Sequence, residues 1–245
     1  MSVALPTRRD ERWRYSDLDA VAKLWPVGPA TVVAVAAGEA ATRNLLADQG
    51  GIHDFQVTLA AGARLDFQIV NIAARYSRIA IDVALHDGAH FELGAVQIGG
   101  SDTVLEIVTT VRHIEPNASS RQTVRIVLDD RATGSYLGKV AVARDAQKTD
   151  AVQSVKALLL KRTATANLKP ELEIYADDVK CAHGATVGEL SKDALFYLES
   201  RGIAPLEAQA LLTEAFIGDA INDEALLGAA LARLRPSTSL GMSGF

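Results

Sequence analysis

The sequence holds one cysteine, Cys181. No internal disulfide can form, and no metal centre can be built from several thiolates of this chain. Any soft-metal or sulfur chemistry has to borrow ligands from a second chain or use other residue types. Excess positive charge is lacking too. There are 25 Lys and Arg against 30 Asp and Glu, a net charge of −5, and no basic cluster of the kind that grips nucleic acid. Long apolar runs are missing: the stretch at 30–37 falls well short of the ~18 residues a membrane-spanning helix needs. It also follows Arg8, Arg9, Arg12 and Arg14, interspersed with acidic residues, which is unlike a secretory leader. The expected location is the cytoplasm. Signature motifs for metalloprotease, redox dithiol and dinucleotide binding do not occur.

What is present is a long β-rich texture. A charged, partly aromatic N-terminal lead-in (1–31), with Trp13, Tyr15 and Trp25, precedes Pro26 and Pro29, which stop any helix. Across 32–188, runs of β-formers at 56–59, 65–72, 79–85, 91–98, 104–111, 123–128, 136–142 and 172–175 are separated by turn signals. These include Gly50-Gly51, Asp87-Gly88, Gly99-Gly100, Asn117, Asp129-Asp130 and Gly134. Alternation such as Leu65, Phe67 and Ile69 against Asp66 and Gln68 gives each strand one apolar face. A sandwich, a barrel and a β-helix all fit, and no fixed-length repeat chooses between them.

Beyond Gly188 the period becomes helical. Residues 192–201 put Ala194, Leu195 and Leu198 on one face, and Gly202 follows where a left-handed residue ends a helix. Pro205 suits the first turn of a second helix, striped by Ala208, Leu211, Leu212, Ala215 and Phe216. Asn222 is the expected cap of a third, carrying Leu226, Leu227, Ala230, Leu231 and Leu234. The reading is a small helical domain at 189–235 and a disordered Ser/Gly-rich tail at 236–245.

Few residues suggest chemistry. Gly134-Ser-Tyr-Leu-Gly138-Lys139 is one residue short of a phosphate loop and has Val140 where a hydroxyl should reach magnesium, so it reads as a turn between two strands. His86 and His90 flank the Asp87-Gly88 turn and need not converge. His53 and His113 read as ordinary surface or edge histidines. Cys181 and His183 are different. On an extended strand residues i and i+2 project from the same face, so thiol and imidazole become neighbours, with Tyr175 and Asp177 sharing their parity if the strand is regular. Thiolate and imidazole suit iron, zinc or copper(I), and a protonated imidazole would favour the thiolate.

Residues 176–188, Ala-Asp-Asp-Val-Lys-Cys-Ala-His-Gly-Ala-Thr-Val-Gly, resemble the C-terminal signature of the SufB/SufD family of iron–sulfur cluster assembly scaffolds. The resemblance continues through 195–203, Leu-Phe-Tyr-Leu-Glu-Ser-Arg-Gly-Ile. Upstream it takes in Arg-Gln-Thr-Val at 121–124, Lys-Thr-Asp at 148–150 and Lys-Pro-Glu-Leu-Glu-Ile-Tyr at 169–175. The lead-in at 5–18 is similar to the segment that enters the family's core. The resemblance implies a right-handed parallel β-helix with a C-terminal helical domain. It implies a complex with a SufB-like paralogue, through β-helix pairing, and with a SufC-type ABC ATPase, which would carry out any ATP hydrolysis. The docking face for that ATPase would include Leu195, Phe196, Tyr197, Leu198, Arg201, Gly202 and Ile203. Cys181 and His183 would be transient ligands of iron or a nascent cluster at the interface with the paralogue, and no cofactor would be held permanently. Reduced flavin is associated with such SufBCD complexes, and homodimers are an alternative assembly. Relative to the family, the sequence starts almost at the lead-in and its β region is short, implying fewer coils.

The expected role is therefore a non-enzymatic scaffold. Two alternatives stand beside it: an interaction module with Cys181 inert, and a β-helix enzyme acting on carbohydrate or transferring acyl groups. The enzyme requires paired carboxylates or a general base, and adjacent Asp129 and Asp130 would point to opposite faces of a strand.

Overall fold

The computed structural model describes residues 4–234; the expected tail at 236–245 lies outside them. Twelve strands follow a short lead-in. They are β1 (Thr31–Val35), β2 (Ala40–Ala47), β3 (Gly51–Leu59), β4 (Arg64–Asn71), β5 (Tyr76–Leu85), β6 (His90–Gly99), β7 (Val104–His113), β8 (Ser119–Leu128), β9 (Thr133–Val142), β10 (Asp150–Leu159), β11 (Thr165–Ile174) and β12 (Lys180–Gly188). Odd strands stack in sequence order into one six-stranded sheet and even strands into another. Every pairing is parallel, so the chain winds a right-handed parallel β-helix with two strands to a coil.

Coil length explains why no repeat is visible in the sequence. Thr31 pairs with Phe55, 24 residues on, and Thr133 with Thr165, 32 residues on. The coils lengthen along the axis, so no single period survives. One corner nonetheless keeps a constant geometry. Gly38, Gly62, Gly88, Asn117 and Lys148 all adopt the left-handed conformation there, with φ between 62° and 73°. Each donates its N–H to a carbonyl of the next coil, beginning with Gly38 to Ala61 at 2.9 Å and Gly62 to Asp87 at 2.8 Å. Glycine and asparagine tolerate this conformation readily.

The interior between the sheets is aliphatic and aromatic in the early coils, with Val57, Leu59, Leu65, Phe67, Ile69, Ile81, Val83 and Phe91 fully buried. Stacked columns run along the axis, for example Val57, Val83, Val111 and Val140. Gly134 and Gly138, expected in a turn, lie inside β9. They are small because of their neighbours: a Cβ on Gly138 would meet the Tyr136 hydroxyl at 2.2 Å, and one on Gly134 would meet Ile126 at 2.7 Å. Both make room for core side chains.

The lead-in forms a 3-10 turn (Glu11–Trp13) and α1 (Leu18–Leu24) and lies on the outer face of the odd sheet. Trp13 stacks on the buried Arg78 guanidinium at 3.9 Å, Ser16 donates to Glu106 at 2.7 Å, and Tyr15 packs on Ala80, Val108 and Leu137. Arg78 and Glu106, both 1% exposed, pair at 2.7 Å beneath it.

Three helices follow β12: α2 (Lys192–Ser200), α3 (Pro205–Ile217) and α4 (Glu224–Leu234). Ser191 caps α2, and Gly202 has φ +87° behind it. The cap of α4 is Asp223, whose carboxylate accepts from Leu226 N at 2.8 Å. Asn222, the expected cap, instead sends its backbone N–H to Gln68. The end of α3 and one face of α4 pack through Ile217, Ala220, Ile221, Leu226 and Ala230 onto Val70, Val96, Ile98, Val127 and Leu158 on the outside of the even sheet. No helix among the described residues is long and apolar enough to cross a membrane.

Candidate functional site

Strand β12 closes the even sheet. Among the described residues it pairs with β10 only, which leaves its other edge without a strand partner among them. Register fixes which way its side chains point. Cys181 continues the inward column Leu65, Phe91, Ser120, Ala151, and His183 continues Phe67, Leu93, Gln122, Gln153. In the preceding coil Ala151 and Gln153 are buried. One coil later no described residue continues the column, and His183 is exposed and Cys181 half-buried. The two residues thus stand at the mouth of the β-helix, side by side on one face as their spacing predicts. Tyr175 and Asp177 do not join them, because the chain turns between β11 and β12 and both fall in that corner.

The thiol packs beside Val140, Val142, Ala146, Ala151, Leu172, Ala176 and Val179. Burial pushes the Cys181 pKa up, and the charge of Asp150 adds to the shift, while the Ala151 backbone opposes it. In the isolated chain the neutral thiol is therefore favoured, and the thiolate that coordinates a metal needs a nearby positive charge to draw it out. The Cα atoms of i and i+2 on a strand are about 6.6 Å apart. One metal ion with a sulfur ligand at about 2.3 Å and a nitrogen ligand at about 2.0 Å can be spanned from that base. Two donors leave a tetrahedral ion two ligands short. Among the described residues no group of three or more His, Cys, Asp or Glu is placed to hold a metal.

The other histidines lie elsewhere. His86 contacts Glu115 at 3.0 Å, and His90 contacts Ser119 at 2.8 Å and Glu92 at 3.3 Å, so the pair does not converge. His113 is no surface residue: it is 1% exposed inside the helix, with Nε2 3.0 Å from the Ser120 hydroxyl. His53 is also inward, and its Nε2 is buried without a protein partner.

Beneath the mouth the interior turns polar. Thr109 and Tyr136 donate to Gln122 Oε1 at 2.7 and 3.0 Å, and Gln153 Nε2 donates to the Tyr136 oxygen at 3.2 Å. Sequence reading missed this network. Polar residues alternating on a strand look like a solvent face, and only the coil stacking turns them inward.

Helix α2 packs against α3. Leu195, Leu198 and Ile203 are half-buried, whereas Phe196 and Tyr197 are 73% and 57% exposed. Arg201 lies over the Tyr197 ring at 5.1 Å, and Gly202 is exposed in the turn. Helix α3 leaves Leu206 and Leu211 exposed as well. Leu211 was expected in the apolar stripe, and Leu206 was not singled out.

The SufBD core domain of the SUF system for FeS cluster assembly matches residues 31–216. An iron–sulfur cluster assembly SufBD family protein of Synechocystis is 34% identical over 200 residues, covering 80% of this chain and 44% of the relative. The iron–sulfur cluster assembly protein SufD of Escherichia coli is 40% identical over 134 residues, 54% of this chain and 32% of the relative. The chloroplastic protein ABCI7 of Arabidopsis thaliana is 38% identical over 131 residues, 53% and 28%. The chain thus spans less than half the length of these curated relatives. A parallel β-helix ending in a cysteine–histidine strand and a helical annex, matched over residues 31–216, places the chain in the SufBD core family of the SUF iron–sulfur cluster assembly system.

Proposed function

We propose that this chain acts as a SufD-type scaffold in iron–sulfur cluster assembly, itself catalysing no reaction and presenting Cys181 and His183 to a site completed by a second chain. The observation that carries the reading is the contrast between the two ends of the β-helix. At the first coil Arg43 occupies the inward column and lies over the Phe55 ring at 5.4 Å. An inward-pointing charge on an edge strand discourages another chain from pairing there. The last coil has no such guard. Cys181, His183, Ala185 and Val187 line it, and Ile174, Tyr175 and Val187 are exposed beside them. A strand edge of this composition suits pairing with a like β-helix, a SufB-like paralogue or a second copy. Such a partner would supply the missing ligands and cover the mouth.

In this reading iron or a nascent cluster is cargo, held transiently between the chains. The exposed Phe196, Tyr197 and Leu206 form the surface that docks a SufC-type ATPase, with Leu195, Leu198 and Ile203 behind them and Arg201 and Gly202 at the edge. ATP is hydrolysed by that partner, and flavin, where it takes part, enters through the assembled complex in the cytoplasm.

The first test is co-purification with the candidate ATPase and paralogue, read by native mass spectrometry. An assembly of the ATPase with this chain and either the paralogue or a second copy supports the scaffold; a chain that binds no ATPase and pairs with no β-helix refutes it. Within such an assembly, Cys181→Ser and His183→Ala should leave complex formation intact and lower the yield of reconstituted cluster. Full cluster yield from the double variant would reduce the chain to an interaction module without cluster chemistry.

A further inference from the structure

The turn joining α3 to α4, residues 218–223, meets the even sheet along a single register column. Asn44, Gln68, Gly94, Thr123, Ser154 and Gly184 follow one another across β2, β4, β6, β8, β10 and β12. Asn44 donates to the Asp223 carboxylate at 2.6 Å. Gln68 Oε1 accepts from Asn222 N at 3.1 Å. At Gly94 the turn touches the sheet so closely that a Cβ would lie 2.1 Å from the Ala220 carbonyl oxygen. At the next rung Arg125, two residues beyond Thr123, reaches back with both ends of its guanidinium. Nη2 donates to Asp219 at 2.6 Å, and Nη1 donates to the carbonyls of Val124 and Ser154 at 3.0 and 3.1 Å. The turn thereby engages four consecutive strands, and Arg125 carries the contact on to β10, one short of β12.

Arg125 is 3% exposed and sits beside an otherwise apolar contact between helices and sheet, with the Phe216 ring 6.0 Å away. Apolar packing alone would hold the helices there. A buried cation costs desolvation that packing avoids, so its presence points to a need for fixed geometry rather than for adhesion. Arginine's planar fork can hold two acceptors in a set relation, which a lysine cannot do.

We propose that this turn is a brace coupling the α2–α3 surface to the strand that carries Cys181 and His183, with Arg125 as the residue that transmits position. Displacement of α3 moves Asp219. Through Arg125 this shifts the Ser154 carbonyl on β10, and Ser154 lies in register with Gly184, the residue after His183. Arg125 is a positioning residue and touches neither donor. The use made of the coupling rests on the docking proposed above; the coupling itself is a property of the isolated chain.

Hydrogen exchange on the full chain, read by mass spectrometry, tests it. Arg125→Lys keeps the charge but cannot bridge. It should raise exchange at 150–159 and 180–188 about tenfold, the size expected for losing a hydrogen bond to a charged group, while α4 keeps its protection through its apolar contacts. Gly94→Ala pushes the same turn away without touching Arg125 and should give the same pattern. Asp219→Asn, the mildest variant, should give a weaker version of it. Faster exchange confined to 205–234, with 180–188 unchanged, overturns the proposal for any variant that folds. Adding the purified ATPase subunit separates the two readings. Binding that alters exchange at 180–188 in the wild type but not in Arg125→Lys supports the brace, and equal responses overturn it. If the wild type binds no ATPase, the docking reading fails and the comparison of unbound chains still decides the brace.

Discussion

His113 makes the stability of this fold sensitive to mild acid. The ring ends β7 in an inward column, stacked between Leu85 and Val142 of the adjoining coils. Its surroundings are aliphatic, and among the described residues the Ser120 hydroxyl at Nε2 is its one well-formed side-chain hydrogen bond. Burial lowers its pKa from 6.5 to about 4, and a backbone contact with Ala118 opposes the shift only in part. The unfolded chain takes up a proton near pH 6.5 that the folded chain refuses until about pH 4. The stabilisation is therefore complete above pH 6.5 and is lost progressively as the pH falls toward 4. A gap of about 2.5 pH units at about 1.4 kcal/mol each amounts to about 3 kcal/mol, a large share of a net stability of about 5–15 kcal/mol. Urea unfolding from pH 7.5 to 4.5 at constant ionic strength measures it, with His113→Gln as the non-titrating reference that can still reach Ser120. The difference between the two curves removes the carboxylates common to both. Wild type should lose about 1.4 kcal/mol per pH unit relative to the variant below pH 6. Parallel curves would show that His113 is protonated in the folded chain and that the buried assignment of its ring is wrong.

Two further outcomes are expected. Gly138→Ala should cost about 3 kcal/mol, because the new methyl overlaps the Tyr136 ring and breaks its bond to Gln122; an unchanged urea midpoint, with an intact near-ultraviolet tyrosine signal, would contradict this. Phe196→Asp should leave the melting temperature unchanged, since the ring is 73% exposed, and should abolish ATPase binding in a pull-down, whereas Leu198→Asp, at a half-buried position of α2, should lower the melting temperature itself.

The β-rich core and the three helices could be read from residue patterns because each depends on local periodicity. Strands at 65–72, 91–98 and 104–111 alternate or run apolar, and the parity that unites Cys181 with His183 follows from strand geometry alone. Architecture was another matter. Coils that lengthen from 24 to 32 residues hide the repeat, so the β-helix had to come from the family resemblance. Inward polar residues misled for a related reason: Gln122, Gln153 and His113 have the sequence signature of a wet face. Asn222 and Asp223 are both good caps, and the choice between them was made by Gln68, 154 residues away. The brace is similarly illegible, for Asn44 and Asp223 meet across 179 residues.

The change of interior along the axis links these features to the site. An aliphatic column carried unbroken to the last coil would expose leucine or phenylalanine at the mouth, a sticky edge open to any strand. A column ended by a charge, as Arg43 does at the first coil, would resist burial by a partner. The column Leu93, Gln122, Gln153, His183 does neither. Past Leu93 its members are two amides and an imidazole, which can be wetted while the mouth is open and covered at little cost once hydrogen-bonded. The orphaned Gln122 Nε2 and Gln153 Oε1 are the penalty of carrying polarity inward by two coils. A core selected for stability alone would not accept that penalty, whereas the pairing proposed above, in which the last coil alternates between water and a partner chain, gives a reason for it.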